Sequence, residues 1–86
     1  MKIKRRMMFT YTAELIREPI IYNLGEQFNV ITNIQSADIA EDRGWVILEL
    51  EGEPEDIEEG IAWVTSRGMR VEPAGEDIKI DDGTME

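Results

Sequence analysis

The 86-residue sequence contains no cysteine and no histidine. Without cysteine there is no disulfide framework, no thiolate nucleophile and no cysteine-ligated metal cluster. Without histidine the chain lacks the most common general base and the most common transition-metal ligand. No segment approaches the length of a membrane span, and the apolar run "MMF" after the basic start is too short for a secretory signal. We therefore expect a cytoplasmic, non-catalytic protein with no cofactor and no membrane insertion.

Positive charge is scarce, and it is concentrated at the start of the chain. Four of the nine lysines and arginines lie within residues 2–6, and the remaining five face nineteen acidic residues. A surface of this charge repels phosphate backbones. The sequence thus argues against nucleic-acid binding through the folded part, and we interpret the basic "KIKRR" as a solvated strand end.

The hydrophobic pattern predicts a single domain that mixes strands and helices. Alternating apolar residues predict four strands, at residues 2–12, 30–41, 45–51 and 69–73. Spacings of three and four predict two amphipathic helices, at residues 18–28 and 54–67. The order βαββαβ is the ferredoxin-like arrangement, an α/β (α+β) two-layer sandwich in which a four-stranded antiparallel sheet carries both helices on one face. We expect this domain over residues 1–75 and an acidic, flexible tail over residues 76–86, within which "DIKI" is compatible with a short edge strand.

Two prolines and one glycine predict where the helices begin and end. Pro19 and Pro54 are expected at the first position of their helices, where the missing N–H of proline costs nothing. Gly68 is expected to end the second helix. The acidic stretch "EGEPEDIEEG" around Pro54 complements the positive end of a helix. It lacks the alternating ligands of a calcium loop, so we interpret it as a solvated helix start.

Asn33 is unusual because strands tend to exclude asparagine. Neighbouring strand residues point to opposite faces, so the second strand is expected to direct Val30 and Ile34 toward the helices. The third strand is expected to direct Val46, Leu48 and Leu50 toward the helices. The open face would then carry residues from three strands, namely Ile31, Asn33, Gln35 and Ala37 from the second, Trp45, Ile47 and Glu49 from the third, and Met8, Thr10 and Thr12 from the first. Such a mixed surface is too apolar to be left in water.

Two interpretations of the open face are compatible with these residues. In the first, the face is a homodimer interface, and Asn33 forms hydrogen bonds across it or to water. In the second, the Asn33 amide orients a small polar ligand, since an amide offers two donors and an acceptor and can serve both a carboxylate and an ammonium group. Ligand sites often lie at interfaces, so both interpretations can hold for one surface.

Four phrases of the sequence resemble the NIL domain along residues 7–73. They are "ELIREPIIYNL", "FNVITNIQSADI", "GWVILELEG" and "GIAWVTSRGMRVEP". The family is named after an Asn-Ile-Leu triplet; Asn33 and Ile34 match its first two residues, and Gln35 replaces the leucine. The resemblance implies that two copies of the domain pair.

NIL domains are best known as C-terminal regulatory domains of methionine-importer ATPase subunits, where they bind methionine and restrain transport. The resemblance implies a site for methionine or a related sulfur amino acid, formed by Asn33, Ile34 and Gln35 with Ile31, Trp45 and Ile47 as an apolar niche. The chain has no phosphate-binding glycine loop, so we expect a stand-alone regulatory domain. The glutamine at position 35 makes the site more polar than the family's leucine would.

NIL domains also occur joined to iron–sulfur ferredoxin modules in proteins linked to sulfur assimilation and homocysteine formation. This second context implies an alternative function, an accessory subunit that contacts a sulfur-assimilation enzyme. Because the chain has no cysteine, a separate ferredoxin partner would have to supply the cluster. A dimerisation module that binds no ligand is the third alternative.

Overall fold

The computed structural model describes residues 1–15 and 18–79. Its elements, in chain order, are β1 (Ile3–Thr12), α1 (Ile20–Phe28), β2 (Ile31–Ile39), β3 (Arg43–Gly52), α2 (Pro54–Ser66), β4 (Arg70–Pro73) and β5 (Ile78–Lys79). The strands form one sheet in the order β2-β3-β1-β4, with β5 also paired to β1, and every pair is antiparallel. The predicted ferredoxin-like fold is confirmed, with five strands in place of four.

β5 lies within the segment "DIKI", whose sequence is compatible with a short edge strand. Its two residues pair with the start of β1, Ile78 with Lys4 and Lys79 with Ile3. Since β4 pairs only with residues 7–10 of β1, β5 supplies partners to a part of β1 that β4 does not reach. The domain boundary at residue 75 stays a prediction, because residues 80–86 of the expected tail lie outside the described residues.

Arg5 connects the segment that leads into β5 to the body of the domain. Its Nε and Nη2 donate hydrogen bonds to the Asp77 carboxylate at 3.0 and 2.9 Å, and Glu58 of α2 lies 4.0 Å from Nη2. Donating these hydrogen bonds to Asp77 raises the pKa of the Arg5 guanidinium above its usual value. The two-point geometry fixes direction as well as distance, so the chain between β4 and β5 is held against the edge of β1.

The hydrophobic core lies between the sheet and the two helices. Its most deeply buried side chains come from both layers and are Phe9, Ile20, Leu24, Val46, Leu48, Leu50, Ile57, Val64 and Met69. Along β3, buried and half-buried residues alternate without interruption from Gly44 to Gly52. The predicted direction of β3 is therefore confirmed, with Val46 and its alternate neighbours facing the helices.

The helix boundaries confirm most of the predicted ends. Pro54 is the first residue of α2, as expected. Gly68 follows that helix with φ of 95°, a left-handed conformation that favours glycine. Pro19 precedes α1, and its ψ of 60° is not helical. The prediction of Pro19 as the first helical residue is thus wrong, and the helix begins at Ile20.

β2 contains an irregularity that changes the facing of its second half. Its register on β3 shifts at Gln35, which has no partner there. One extra residue in a strand exchanges the two faces beyond it. Ala37 consequently pairs with Val46 on the helix face, and the prediction that placed it on the open face is wrong. Ser36 and Asp38 occupy the open face in its place.

Candidate functional site

The open face is the surface of the sheet turned away from α1 and α2. Directly paired residues of antiparallel strands have Cβ atoms about 4.5–5.5 Å apart, so the side chains on this face form rows across the sheet. From β2 through β3 to β1 the rows are Ile31–Glu51–Lys4, Asn33–Glu49–Arg6, Ser36–Ile47–Met8 and Asp38–Trp45–Thr10. We call the second of these the Asn33 row.

Four of the six predicted site residues share the open face, and they are Ile31, Asn33, Ile47 and Trp45. They lie in four different rows. Trp45 is two rows from the Asn33 row, which is about 13 Å along β3 at about 3.3 Å per residue. The predicted residues thus form a strip along the strands and not a compact pocket.

The other two predicted site residues lie elsewhere on β2. Ile34 pairs with Leu48, so it lies on the helix face, opposite to Asn33. Its side chain is nonetheless 64% exposed, because the helices do not cover this part of β2. Gln35 is exposed at the irregularity. The structure therefore does not bring Ile34 together with Asn33.

The Asn33 row places an amide, a carboxylate and a guanidinium side by side. Asn33 and Arg6 are exposed, and Glu49 is half-buried. Arg6 and Glu49 are directly paired, yet within residues 1–15 and 18–79 neither takes part in an ion pair of 4.0 Å or less. This row can thus offer both signs of charge and an amide to a third group.

Two shallow recesses open at opposite ends of this face. The recess beside β5 has a volume of about 270 Å³ and is lined by Lys4, Arg6, Glu49 and residues 75–78. The recess at the β2–β3 hairpin has a volume of about 290 Å³ and is lined by Thr10, Asp38, Ala40, Arg43, Gly44 and Trp45. Both volumes are close to the lower limit of ligand pockets, about 300 Å³, which suits a molecule of amino-acid size.

The part of the chain that the structure describes contains neither a cluster of metal-ligating side chains nor a membrane-spanning helix. No group of three or more acidic side chains is arranged there to hold a metal ion. Among its helices, none has the length and apolar character needed to cross a membrane.

Tyr11, on the helix face of β1, has its pKa raised by burial, and it contributes to the core and not to the open face.

A second cluster of aromatic and charged side chains lies on the helix layer. The Phe28 and Trp63 ring centroids are 5.7 Å apart, and the Arg67 Cζ lies 5.4 Å from the Trp63 ring centroid. Arg67 also donates to the Glu18 carboxylate at 2.6 Å. These contacts join α1 to α2 and connect the segment before α1 with the end of α2, so we assign them a packing role.

Sequence reasoning did not select Glu49 or Arg6 as site residues. Alternation along β3 placed Glu49 on the open face, and Arg6 was interpreted as part of a solvated strand end. Arg6 and Glu49 are more than forty positions apart in the chain, and placing them side by side needs the register of β1 on β3. Alternation assigns a face but not a register, so no local signal could have joined the two.

The comparison with protein families decides which family this sheet belongs to. The sequence profile of the NIL domain matches residues 5–73 of this chain. The chain belongs to the NIL domain family. The matched range includes the whole Asn33 row and ends at the last residue of β4. Among curated proteins, no sequence matches this NIL domain.

Two solved structures have folds similar to that of this NIL domain. One is the crystal structure of the C-terminal domain of an ABC transporter/ATP-binding protein from Enterococcus faecalis, with a TM-score of 0.75 and 20% identity over 84% of each chain. Another is the de novo designed protein Foldit4, with a TM-score of 0.59 and 11% identity over 93% of this NIL domain and 99% of the designed chain. At these identities the similarity shows the fold alone.

Proposed function

We propose that this NIL domain is a non-catalytic regulatory domain that binds methionine or a related sulfur amino acid on its open face. The observation that carries the proposal is the position of Asn33, exposed on that face and flanked by Glu49 in a direct pair. Membership of the NIL domain family, which is best known for regulatory domains, supports regulation over catalysis. In this proposal the domain acts in the cytoplasm and needs no cofactor.

The rows of the open face suggest how such a ligand lies. With its head group at Asn33, an extended amino acid can follow the strands toward the hairpin, where the next row carries Ile47 and Met8, both half-buried. A thioether side chain gains from covering such apolar surface. Trp45 then stands at the far end of the path, and Ile31 flanks Asn33 on the other side.

Asn33→Ala is expected to abolish the stabilisation that L-methionine gives to the unmodified domain. Ligand at about a hundred times its dissociation constant stabilises by about 2.7 kcal/mol, which raises the Tm of a domain this small by about 10 °C or more. The substitution itself should change the free energy of unfolding by about 0.5 kcal/mol or less, since the side chain is exposed. Thermal melts with L-methionine, L-homocysteine and L-cysteine measure both effects.

Gln27→Ala is the matched control for this experiment. It removes another exposed amide, on α1 in the opposite layer, and should leave the ligand-induced rise in Tm intact. If the unmodified domain melts at the same temperature with every amino acid of the panel, the proposed function is wrong. Unfolding of Asn33→Ala at ambient temperature would contradict the assigned role by making the amide structural.

Pairing of two copies is part of the proposed function, and the edge of the sheet supports it. β2 has only β3 as a neighbour in the described sheet, and Ile31, Ile34 and Ile39 are 56, 64 and 51% exposed. An exposed edge strand with apolar side chains invites association with another chain.

The alternative of an accessory subunit for a sulfur-assimilation enzyme stays a prediction.

We expect the mass in solution to be that of a dimer, and Ile34→Lys to give the monomer. The substitution places a charge on the edge strand, which natural sheets use to prevent such contacts. Light scattering coupled to gel filtration measures the mass. Gln27→Lys, which adds the same charge on α1, should remain dimeric. A monomer for the unmodified chain, at concentrations up to those of the ligand experiments, would contradict the pairing.

A further inference from the structure

The recess beside β5 contains side chains of both charges on one short stretch of sheet. Glu49 lies between Asn33 and Arg6 on the adjacent strands, and neighbouring strands are about 4.8 Å apart. Lys4 lines the same recess. A carboxylate and a guanidinium at neighbouring positions are close enough for one small molecule to contact both.

Arg6 differs from most of the other arginines that the structure describes. Arg5, Arg67 and Arg70 each have a carboxylate within 4.0 Å. Among the described residues Arg6 has none at that distance, although Glu49 is its direct partner on β3. Opposite charges placed directly across two strands attract each other. Since Arg6 and Glu49 form no ion pair with each other within 4.0 Å, both charged groups remain available to a ligand that binds between them.

The segment between β4 and β5 forms one wall of this recess and holds the stem of Arg6. The Ala74 N–H donates to the Arg6 carbonyl at 2.9 Å. A Cβ on Gly75 would lie 3.7 Å from Cβ and Cδ of Arg6, so the segment passes close to the aliphatic part of that side chain. Asp77 secures the segment through Arg5. This wall lies beyond the NIL match, which ends at residue 73.

The charges in the recess restrict the class of ligand. A phosphate or another anion without a positive group would meet Glu49, Glu76 and Asp77, and repulsion would oppose it. A metal cation would meet Arg6 and Lys4. A zwitterion avoids both penalties, because it carries one group of each sign at a short, fixed separation.

We infer that Arg6 binds the carboxylate and Glu49 binds the ammonium group of a zwitterionic α-amino acid, with Asn33 completing the row. The inference rests on the proposed function and adds to it the two side chains that recognise the charged head group. A guanidinium matches a carboxylate with two parallel hydrogen bonds, and a carboxylate accepts from an ammonium group. The apolar part of the amino acid then points along the strands toward Ile47.

Titration calorimetry with three probes on the full 86-residue chain tests the inference. The probes are L-methionine, its primary amide, which has no carboxylate, and N-acetyl-L-methionine, which has no ammonium. Arg6→Gln should weaken L-methionine binding at least about tenfold and leave the already weaker binding of the amide unchanged. Glu49→Gln should weaken L-methionine binding to a similar extent and leave N-acetyl-L-methionine unchanged.

Arg43→Gln is the control for the loss of an exposed arginine. Arg43 has no carboxylate within 4.0 Å among the described residues and lines the other recess, at the hairpin. Its replacement should leave L-methionine affinity unchanged. Thermal melts of all three variants without ligand, with midpoints within a few degrees of the unmodified chain, show that the fold is retained. Arg6→Lys, which keeps the charge but not the two-point geometry, should lose less affinity than Arg6→Gln.

The outcomes separate the inference from the proposed function. If L-methionine binds the unmodified chain and is lost in Asn33→Ala, but both Arg6→Gln and Glu49→Gln bind normally, the inference is wrong and the proposed function stands. If Arg43→Gln loses affinity while Arg6→Gln does not, the head group lies in the hairpin recess and the inference is again wrong. If no probe binds the unmodified chain, both are wrong.

Discussion

Phe9→Ala is expected to lower the free energy of unfolding by about 3–5 kcal/mol, the range for removing a buried aromatic ring. The Phe9 side chain is 0% exposed and lies in the middle of β1, paired with Val46 on β3 and Val71 on β4. Strands on both sides limit how far the structure can relax into the space. Small domains lie toward the lower part of the usual stability of about 5–15 kcal/mol, so this variant should retain little of it.

Met8→Ala is the control for Phe9→Ala. Met8 is the next residue of the same strand, half-buried on the open face. Its truncation leaves no enclosed cavity, so we expect a loss of about 1 kcal/mol or less. Urea unfolding followed by circular dichroism measures both variants. Equal losses in the two would contradict a single core on the helix side of the sheet.

Gly60→Val is expected to destabilise the domain by about 2–3 kcal/mol, because the overpacking outweighs the small gain in helix propensity over glycine. Gly60 lies on the buried face of α2, and a Cβ there would be 2.5 Å from Leu24 Cδ1 and 3.6 Å from Phe28 Cβ. Leu24 is itself 0% exposed, so its methyl group has little space into which to move. α1 and α2 would therefore have to separate.

Ala62→Val is the control for a valine on α2 that meets no neighbouring side chain. Ala62 is exposed on the same helix, so its replacement carries the cost of a β-branched residue in a helix and no clash. We expect it to cost about 0.7 kcal/mol or less. Gly60→Ala should fall between the two, because its better helix propensity offsets part of the clash with Leu24. Thermal melts rank the three; a Gly60→Val midpoint equal to that of Ala62→Val would show that the helices are not in close contact at this point.

The sequence predicted well those features that depend on residues close together in the chain. The alternation in β3 is uninterrupted, so its facing was predicted correctly. Pro54 lacks the N–H that only the first turn of a helix can spare, and Gly68 readily adopts the left-handed conformation that often ends a helix; both stand where they were expected. Asn33 was placed on the correct face because it precedes the irregularity in β2.

The errors arise where contacts between distant segments decide the structure. The irregularity at Gln35 follows from fitting β2 to β3, and it reversed the predicted facing of Ala37. β5 has only two residues and exists because β1 offers an open edge that Asp77 and Arg5 help to cover. Of the Asn33 row, the sequence identified only Asn33 as a site residue. Glu49 and Arg6 join it through the register between strands, which alternation does not give.

The position of β1 in the sheet has a consequence for synthesis on the ribosome. β1 is made first, yet its partners β3, β4 and β5 lie at residues 43–52, 70–73 and 78–79. Contacts between distant segments form slowly, because long loops must close first. Until β3 has been synthesised, β1 therefore exposes Phe9 and Tyr11 without the strand that pairs with it. The cations at residues 2–6 lie next to these apolar residues. Repulsion between the cations of different chains opposes aggregation before β3 is available to pair with β1.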